Sequence, residues 1–350
     1  MVVSPAHVLA ALLAVPMGPN ALQGGGGPQK IHNGVEVPAC GWPSTVALRI
    51  KGGGLVCTAT LVHPQVVLTA AHCLVADASD FEVAFGEHSE LPAGTIDVVK
   101  CEGHWQEDLA YCTLAGEVSG VPIIPPLMGC EADELKVGGE VVLVGYGNTE
   151  GIYDPELGEV VEYIGAGPKR QAVQIVEAIN PPDDPGFVVL WGDGDESSGC
   201  FGDSGGPTFI RLSDGSWRVF AASGHLYVDE DTVLPDVPAN ICMYGTAVAY
   251  VTPMMDWFES ASGFDVTPCH DAAGGWDPDE RCQEFPEGTL PGGGSWANGC
   301  SSTPLSGPSA LCGPPIDPGS TTTGPDPDPT TEPDPTNPDP TNPDPTTEPD

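Results

Sequence analysis

The sequence has few basic residues and no apolar stretch long enough to span a membrane. Ten lysines and arginines stand against 50 aspartates and glutamates in 350 residues, a formal net charge of −40 at pH 7. Such an acidic surface repels nucleic acid and anionic membranes, so both are excluded as partners. The apolar run Val8–Val15 has the length of a signal-peptide core. We therefore expect a signal peptide over residues 1–18, although its first residues contain no Lys or Arg.

The spacing of the cysteines excludes two common kinds of cysteine site. No Cys-x-x-Cys pair occurs, which argues against a zinc ribbon or a redox centre. The cysteines number twelve, and an even count fits disulfides formed after export better than a reducing cytosol. We expect a secreted, disulfide-bonded protein.

Short β-branched runs dominate the chain from Ile31 to about Ser260, separated by turns rich in Gly, Pro and Asp. No helical segment lies between these runs, which favours an all-β barrel or sandwich. Thr252–Ser260 is the exception, because a proline in its first turn and apolar residues at helical spacing predict a helix. The runs predicted as strands are Thr45–Ile50, Val66–Thr69, Val141–Val144, Ala172–Val176 and Phe187–Leu190.

Segments of different composition flank this region. Residues 19–30 form a Gly-rich linker or propeptide. Residues 262–316 contain four cysteines, Cys269, Cys282, Cys300 and Cys312, which allow three pairings among themselves. Residues 317–350 form a Pro/Asp/Thr tract with nothing apolar to bury, so we expect a disordered spacer, a surface tether or a weak calcium-binding tail.

Two motifs carry most of the functional information. Thr69–Cys73 reads TAAHC and Gly202–Pro207 reads GDSGGP. Together and in this order they resemble the chymotrypsin/trypsin family of serine proteases, over about residues 31–260. The resemblance implies two packed six-stranded antiparallel β-barrels with a C-terminal helix, here residues 31–261. It also implies a serine endopeptidase, with Ser204 as the nucleophile and His72 as the general base.

The resemblance extends to the acid of a catalytic triad. In Glu107-Asp108-Leu109-Ala110, Asp108 matches the family's Asp-(Ile/Leu)-Ala signature, between base and nucleophile in the chain. It implies that Asp108 orients His72. Cys101 and Cys112 bracket this segment and are placed to staple it.

The same resemblance implies supporting roles for neighbouring residues. The backbone N–H groups of Gly202 and Ser204 form the oxyanion hole. Two disulfides are implied, Cys57 with Cys73 and Cys200 with Cys242.

The family's activation step has a counterpart at Lys30-Ile31. Cleavage after Lys30 would free the amine of Ile31, which would then pair with Asp203 and order the oxyanion hole. His32 departs from the family pattern, where a small aliphatic residue is usual.

The register from Cys200 places Ser198 at the base of the substrate-binding pocket. Basic-specific relatives have aspartate there, so cleavage after Lys or Arg is not expected, and activation requires a different, basic-specific protease. Ser223, Gly224 and His225 form the pocket wall. An apolar or an acidic substrate side chain fits this set, and His225 has either a pocket role or none.

Two other functions are compatible with the fold. A non-catalytic binding protein usually loses a triad residue, and all three are present here. An esterase or acyltransferase would use the same triad, although the order His, Asp, Ser argues against an α/β-hydrolase. The expected partners are protein or peptide substrates of a monomeric enzyme, and no metal or organic cofactor is expected.

Overall fold

The computed structural model describes residues 31–192, 197–228, 232, 235–271, 273–282, 295–298, 300 and 311–314. The chain divides into two units, residues 1–316 and 317–350. The second unit lies outside the described residues, as do the predicted signal peptide, the linker and Lys30.

The described residues form sixteen β-strands and one α-helix. Each of the five runs predicted as strands lies within an observed strand, because β-branched residues pack well on a pleated surface. The strands are β1 (Val35–Glu36), β2 (Thr45–Ile50), β3 (Leu55–His63), β4 (Val66–Thr69), β5 (Phe81–Phe85), β6 (Gly94–Gly103), β7 (Ala110–Leu114), β8 (Glu140–Gly145), β9 (Glu150–Asp154), β10 (Glu159–Ile164), β11 (Arg170–Ile179), β12 (Phe187–Gly192), β13 (Pro207–Arg211), β14 (Trp217–Tyr227), β15 (Ala239–Asn240) and β16 (Gly245–Tyr250), and the helix α1 is Met255–Ser262.

Strands β2 to β7 form a closed barrel in the order β2-β3-β4-β7-β6-β5. Every neighbouring pair in it is antiparallel. The short strand β4 is buried along its whole length, and so is β7. Because these strands are covered on both faces, they read as continuous apolar runs rather than as an alternating pattern. Val46, Leu61, Val67 and Phe81 belong to the cluster that fills this barrel.

A second barrel follows in the order β8-β11-β12-β16-β14-β13. It closes because β8 pairs with both β11 and β13, again antiparallel. Strand β1 adds to β11, and β10, β9 and β15 form a separate three-stranded sheet. The predicted pair of six-stranded antiparallel barrels is therefore confirmed.

An aromatic cluster joins the two barrels. Trp42 stacks on Phe209 with ring centroids 4.7 Å apart and meets the edge of Trp217 at 5.1 Å. Tyr111 on β7 belongs to the same core as Phe258 on α1. Its hydroxyl donates a hydrogen bond of 2.6 Å to the carbonyl of Ala261. The helix thus packs back onto the first barrel after the second is complete.

Helix α1 confirms the predicted C-terminal helix. A 3-10 turn, Thr252–Met254, with proline in its first turn, precedes it. Gly263 ends the helix in a left-handed conformation (φ 78°), and its N–H donates to the carbonyl of Glu259 at 2.8 Å. This is a common helix terminus, since glycine adopts positive φ without a steric penalty.

The C-terminal extension is covalently tied to the barrels. Of its four cysteines, two are bonded to each other and two to cysteines before residue 131, so the three pairings within the extension are not the ones adopted. The sequence could not show this, because it does not reveal which loops lie near the extension. The bonds are Cys269–Cys282, Cys40–Cys300 and Cys130–Cys312.

Trp296 of the extension packs against the outside of the first barrel. Its indole N–H donates to Glu87, and its ring lies 6.3 Å from that of Phe85. Nζ of Lys169 lies 5.7 Å from the centre of the same indole. Burial lowers the pKa of Lys169 to about 7, and Glu87 opposes this shift. The extension therefore covers a buried charge.

A second buried charge pairs Arg218 of β14 with Glu131. Nε and Nη2 of Arg218 donate to the two carboxylate oxygens at 2.8 and 2.7 Å, and both side chains are 0% exposed. Glu131 follows Cys130, which is bonded to Cys312 of the extension. Removing one partner of such a pair leaves the other charge buried without compensation, which is strongly destabilising.

We expect Glu131→Gln to lower the free energy of unfolding by about 3–5 kcal/mol, because Arg218 keeps its charge. Urea unfolding with the disulfides intact measures this loss. The control is Asp97→Asn, which breaks the exposed pair of Lys51 and Asp97 (3.1 Å) and should change stability by about 1 kcal/mol or less. Equal effects of the two substitutions would contradict the prediction.

Candidate active site

His72 and Asp108 make two contacts with each other. His72 lies in a 3-10 turn, Ala71–Cys73, directly after β4. Its ring Nδ1 lies 2.7 Å from Oδ2 of Asp108, and its backbone N–H donates to Oδ1 at 3.0 Å. The carboxylate accepts from Nδ1–H, which leaves Nε2 as the free base of the imidazole. The side chains are 42% and 24% exposed, so the pair is accessible from solvent.

Local covalent and backbone links fix this pair in place. Cys73, next to His72, is bonded to Cys57 on β3, and Cys101 is bonded to Cys112 across β6 and β7. Asp108 lies in the connection between those two strands, where the N–H of His104 donates to the carbonyl of Leu109 at 2.7 Å. The acid is therefore presented from a stapled hairpin.

Ser204 is half-buried in the loop before β13. Thr58 on β3 holds this loop from the first barrel: its N–H donates to the carbonyl of Ser204 and its hydroxyl to that of Gly202, each at 2.9 Å. The N–H of Gly205 donates to the carbonyl of Ser223 at 2.7 Å. Both barrels thus position the serine. Nothing in the sequence indicated Thr58, because a threonine in a strand carries no functional signal.

Gly205 has no room for a side chain. Its φ is 75°, and a Cβ there would lie 2.0 Å from Oγ1 of Thr69 and 2.6 Å from the carbonyl oxygen of Thr58. Glycine is required for the loop to approach β3 and β4 this closely.

Asp203 points into the protein beneath this loop and is 1% exposed. Its carboxylate accepts from the N–H groups of Gly147 at 2.8 Å and Cys200 at 3.0 Å. Burial raises the pKa of Asp203 to about 7, although these N–H groups and the Arg170 guanidinium favour the charged form. Ile31 is also buried, packed with Leu143 and Ala172.

The predicted pocket base, Ser198, is a buried residue that makes hydrogen bonds inside the protein. Ser198 is 1% exposed, and its hydroxyl donates to the carbonyls of Cys242 and Gly199. Thr246 of β16 accepts from the N–H of Gly199 at 2.8 Å and is 2% exposed. The Ser198 hydroxyl is therefore engaged within the protein. Cys200 and Cys242 are bonded to each other beside it.

The predicted pocket wall lies on β14. Ser223 is buried, and a β-bulge at Gly224 separates it from His225. Nε2 of His225 lies 3.1 Å from Oδ2 of Asp184, and its ring meets Phe187 at 4.8 Å. The sequence did not indicate the contacts of Asp184 and Phe187 with His225, because both lie about 40 positions before it in the chain.

Two groups of described residues bring three possible metal ligands within 4.8 Å of one another. One is Cys57, His72 and Cys73, and the other is Glu131, His270 and Cys312. Every cysteine in them is in a disulfide and offers no thiolate. Neither group is a plausible metal centre.

Comparisons with known proteins agree with this architecture. A family model described as Trypsin matches residues 31–214. Human granzyme M is 27% identical over 262 residues, covering 70% of this chain and 97% of that protein. Human chymotrypsin-like elastase family member 3B is 23% identical over 266 residues, covering 66% and 88%.

The paired barrels and these matches define a serine endopeptidase, a hydrolase of peptide bonds that acts on protein substrates. The chain belongs to the trypsin family. Among the described residues no helix is long and apolar enough to cross a membrane.

The raised pKa of Asp203 predicts a pH-dependent stability of the uncleaved chain. A carboxyl group with a folded pKa near 7 and an ordinary value of 3.8 binds a proton on folding. Its contribution is fully present below about pH 4 and is lost as the pH rises to about 7. Asn cannot titrate, so Asp203→Asn should have a higher melting temperature than the parent at pH 7.5. This difference in melting temperature should be larger at pH 7.5 than at pH 4.

Thermal unfolding of the uncleaved chain in a Ser204→Ala background, which prevents self-digestion, measures this difference. Asp97→Asn, at an exposed position, is the control. Parallel melting curves for Asp203→Asn and its parent at every pH would show that the buried carboxyl does not titrate in this range.

Proposed function

We propose that this protein cleaves peptide bonds through a Ser–His–Asp triad of Ser204, His72 and Asp108. The observation that carries the proposal is the double contact of His72 with Asp108, which sets the tautomer of the imidazole. Ser204 lies in a loop held by hydrogen bonds from Thr58. In this arrangement a base, its orienting acid and a nucleophile come from rigid neighbouring elements.

The reaction follows from the groups present. Oγ of Ser204 attacks the peptide carbonyl carbon while its proton passes to Nε2 of His72. The N–H groups of Gly202 and Ser204 stabilise the oxyanion of the tetrahedral intermediate. The C–N bond then breaks, the amine leaves with the proton from His72, and the acyl group remains on Ser204. Water attacks this ester with His72 again as base, which restores the serine.

The proposal includes export and activation. Residues 1–18 act as a signal peptide, and the six disulfides suit an oxidising compartment. A basic-specific protease cuts after Lys30, and the new ammonium of Ile31 pairs with the buried Asp203. The active form is a secreted monomer in which the extension (262–316) stays fastened to the protease region (31–261), and the tail (317–350) is a spacer.

The pocket accepts small to medium apolar side chains. Ser198 is buried and uses its hydroxyl within the protein, so a substrate side chain stops above it. Thr246 accepts from the N–H of the next residue, Gly199, and its side chain is assigned to the bottom of the same pocket. An acidic side chain is disfavoured, because His225 already faces the carboxylate of Asp184.

Asp108→Asn tests the triad. It preserves the shape of the side chain but favours the wrong tautomer of His72, so turnover should fall about 10⁴-fold with the fold intact. The measurement is hydrolysis of a peptide substrate by chain cleaved at Lys30, together with covalent labelling of Ser204 by a fluorophosphonate. Uncleaved chain should label slowly and Ser204→Ala not at all.

Two outcomes would contradict the proposal. Cleaved parent enzyme that does not label would favour a non-catalytic binding protein. A near-normal rate for Asp108→Asn would mean that another acid orients His72.

Thr246→Ala tests the pocket. Removing the side chain deepens the pocket, so a peptide-library cleavage profile should shift from small towards larger apolar residues at the cleaved position. Thr252→Ala is the matched control, since its hydroxyl donates to Leu127 at 2.6 Å, away from the pocket residues. A preference for Lys or Arg in the parent enzyme, or identical profiles for parent and Thr246→Ala, would overturn the shallow-pocket assignment.

A further inference from the structure

The peptide group between Phe201 and Gly202 supplies the N–H that the proposed function assigns to the oxyanion hole. Gly202 has φ 94°. Because glycine accepts many backbone conformations, it cannot by itself fix the orientation of this peptide plane. A donor that must point in one direction therefore needs a partner elsewhere in the protein.

Asn148 provides that partner. Its backbone N–H and its side-chain Nδ2 both donate to the carbonyl oxygen of Phe201, each at 2.8 Å. Asn148 is 1% exposed, so water does not compete for these bonds. In a planar trans peptide the C=O and the following N–H point in opposite directions. Two bonds on the Phe201 carbonyl therefore set the direction of the Gly202 N–H.

A similar arrangement fixes the peptide group between Gly147 and Asn148. Arg170, 4% exposed, donates from Nη1 to the carbonyls of Gly147 at 3.2 Å and Gly165 at 2.6 Å. The Gly147 carbonyl belongs to the peptide whose N–H is that of Asn148. A buried guanidinium thus begins a chain that runs through two peptide groups to Gly202. Hydrogen bonds in such a chain polarise one another, and a charged donor at its start strengthens the next donor.

We propose that Asn148, held by Arg170, is a positioning residue that aims and polarises the Gly202 N–H. It touches neither substrate nor nucleophile and acts through the Phe201 peptide. The inference rests on the proposed function, because it needs Gly202 to be an oxyanion donor. Asp203 gives the segment of Gly147 and Asn148 a second attachment besides Arg170, since the N–H of Gly147 donates to its carboxylate.

The test compares Asn148→Ala and Asn148→Asp with Thr149→Val. Asn148→Asp preserves the side-chain volume and removes the Nδ2 donor, so a cavity cannot explain its effect. Thr149 is the next residue, and its hydroxyl donates to the carbonyl of Ile164 at 3.0 Å, away from the loop that carries Ser204. Thr149→Val therefore removes one side-chain hydrogen bond from the same segment and should be nearly silent.

Four quantities are measured on cleaved enzyme whose concentration is determined by active-site titration. These are kcat and KM for a peptide substrate, the Ki of a peptide trifluoromethyl ketone, and the Ki of the matching peptide alcohol. The ketone adds to Ser204 and forms an oxyanion, whereas the alcohol does not. Both Asn148 variants should lose about tenfold in kcat with little change in KM. This is less than the 10²–10³-fold loss that follows removal of an oxyanion donor, because the backbone bond from Asn148 remains.

The ketone should bind about tenfold more weakly to both Asn148 variants, and the alcohol equally well. Unchanged kcat and ketone binding would overturn the proposal. So would equal losses for ketone and alcohol, or the same losses in Thr149→Val, since these indicate general damage to the site. If the parent enzyme neither labels with a fluorophosphonate nor cleaves peptides, the proposed function itself fails, and that outcome is distinct from an active parent with silent Asn148 variants.

Discussion

The buried carboxylate of Asp203 is the constraint around which the nucleophile loop is organised. A carboxylate that is 1% exposed must be compensated by nearby donors, and those donors come from the loop itself and from the Gly147 segment. The Gly147 segment is in turn held by Arg170. The position of Ser204 therefore depends on a carboxylate that faces away from it. The compensation is incomplete, as the raised pKa of Asp203 shows.

Most of the disulfides hold loops, and one, Cys101–Cys112, joins two barrel strands next to the loop between them. Cys57–Cys73 and Cys101–Cys112 hold the segments that present His72 and Asp108. Cys40–Cys300 and Cys130–Cys312 fasten the extension to the segment before β2 and to the segment before β8. A barrel strand is already fixed by ladders on both sides, whereas a loop loses little enthalpy when it opens. Cross-links limit that opening, and they do so without adding to the charge repulsion of a chain with a net charge of −40.

The sequence was informative where the chemistry depends on neighbouring residues. TAAHC and GDSGGP are contiguous motifs, so the residues that they predict for the site are neighbours in the sequence. The β-branched runs likewise predicted barrel strands from neighbouring residues. It was uninformative where function depends on side chains from distant segments. Ser198 was predicted from its spacing to Cys200, whereas its hydrogen bond to the carbonyl of Cys242 joins residues 44 positions apart. The pairing of Cys300 with Cys40 was hidden for the same reason, since it joins residues 260 positions apart.

Three of the few basic residues lie inside the protein, where they support its structure. Lys169, Arg170 and Arg218 are among only ten in the chain, yet they are 1%, 4% and 0% exposed. Lys169 and Arg170 donate mainly to backbone carbonyls, those of Gly41 and Trp42 for the first and those of Gly147 and Gly165 for the second. A cation placed among carbonyls fixes backbone direction where no regular ladder can. These buried side chains therefore support the interior of the protein rather than contribute to its charged surface.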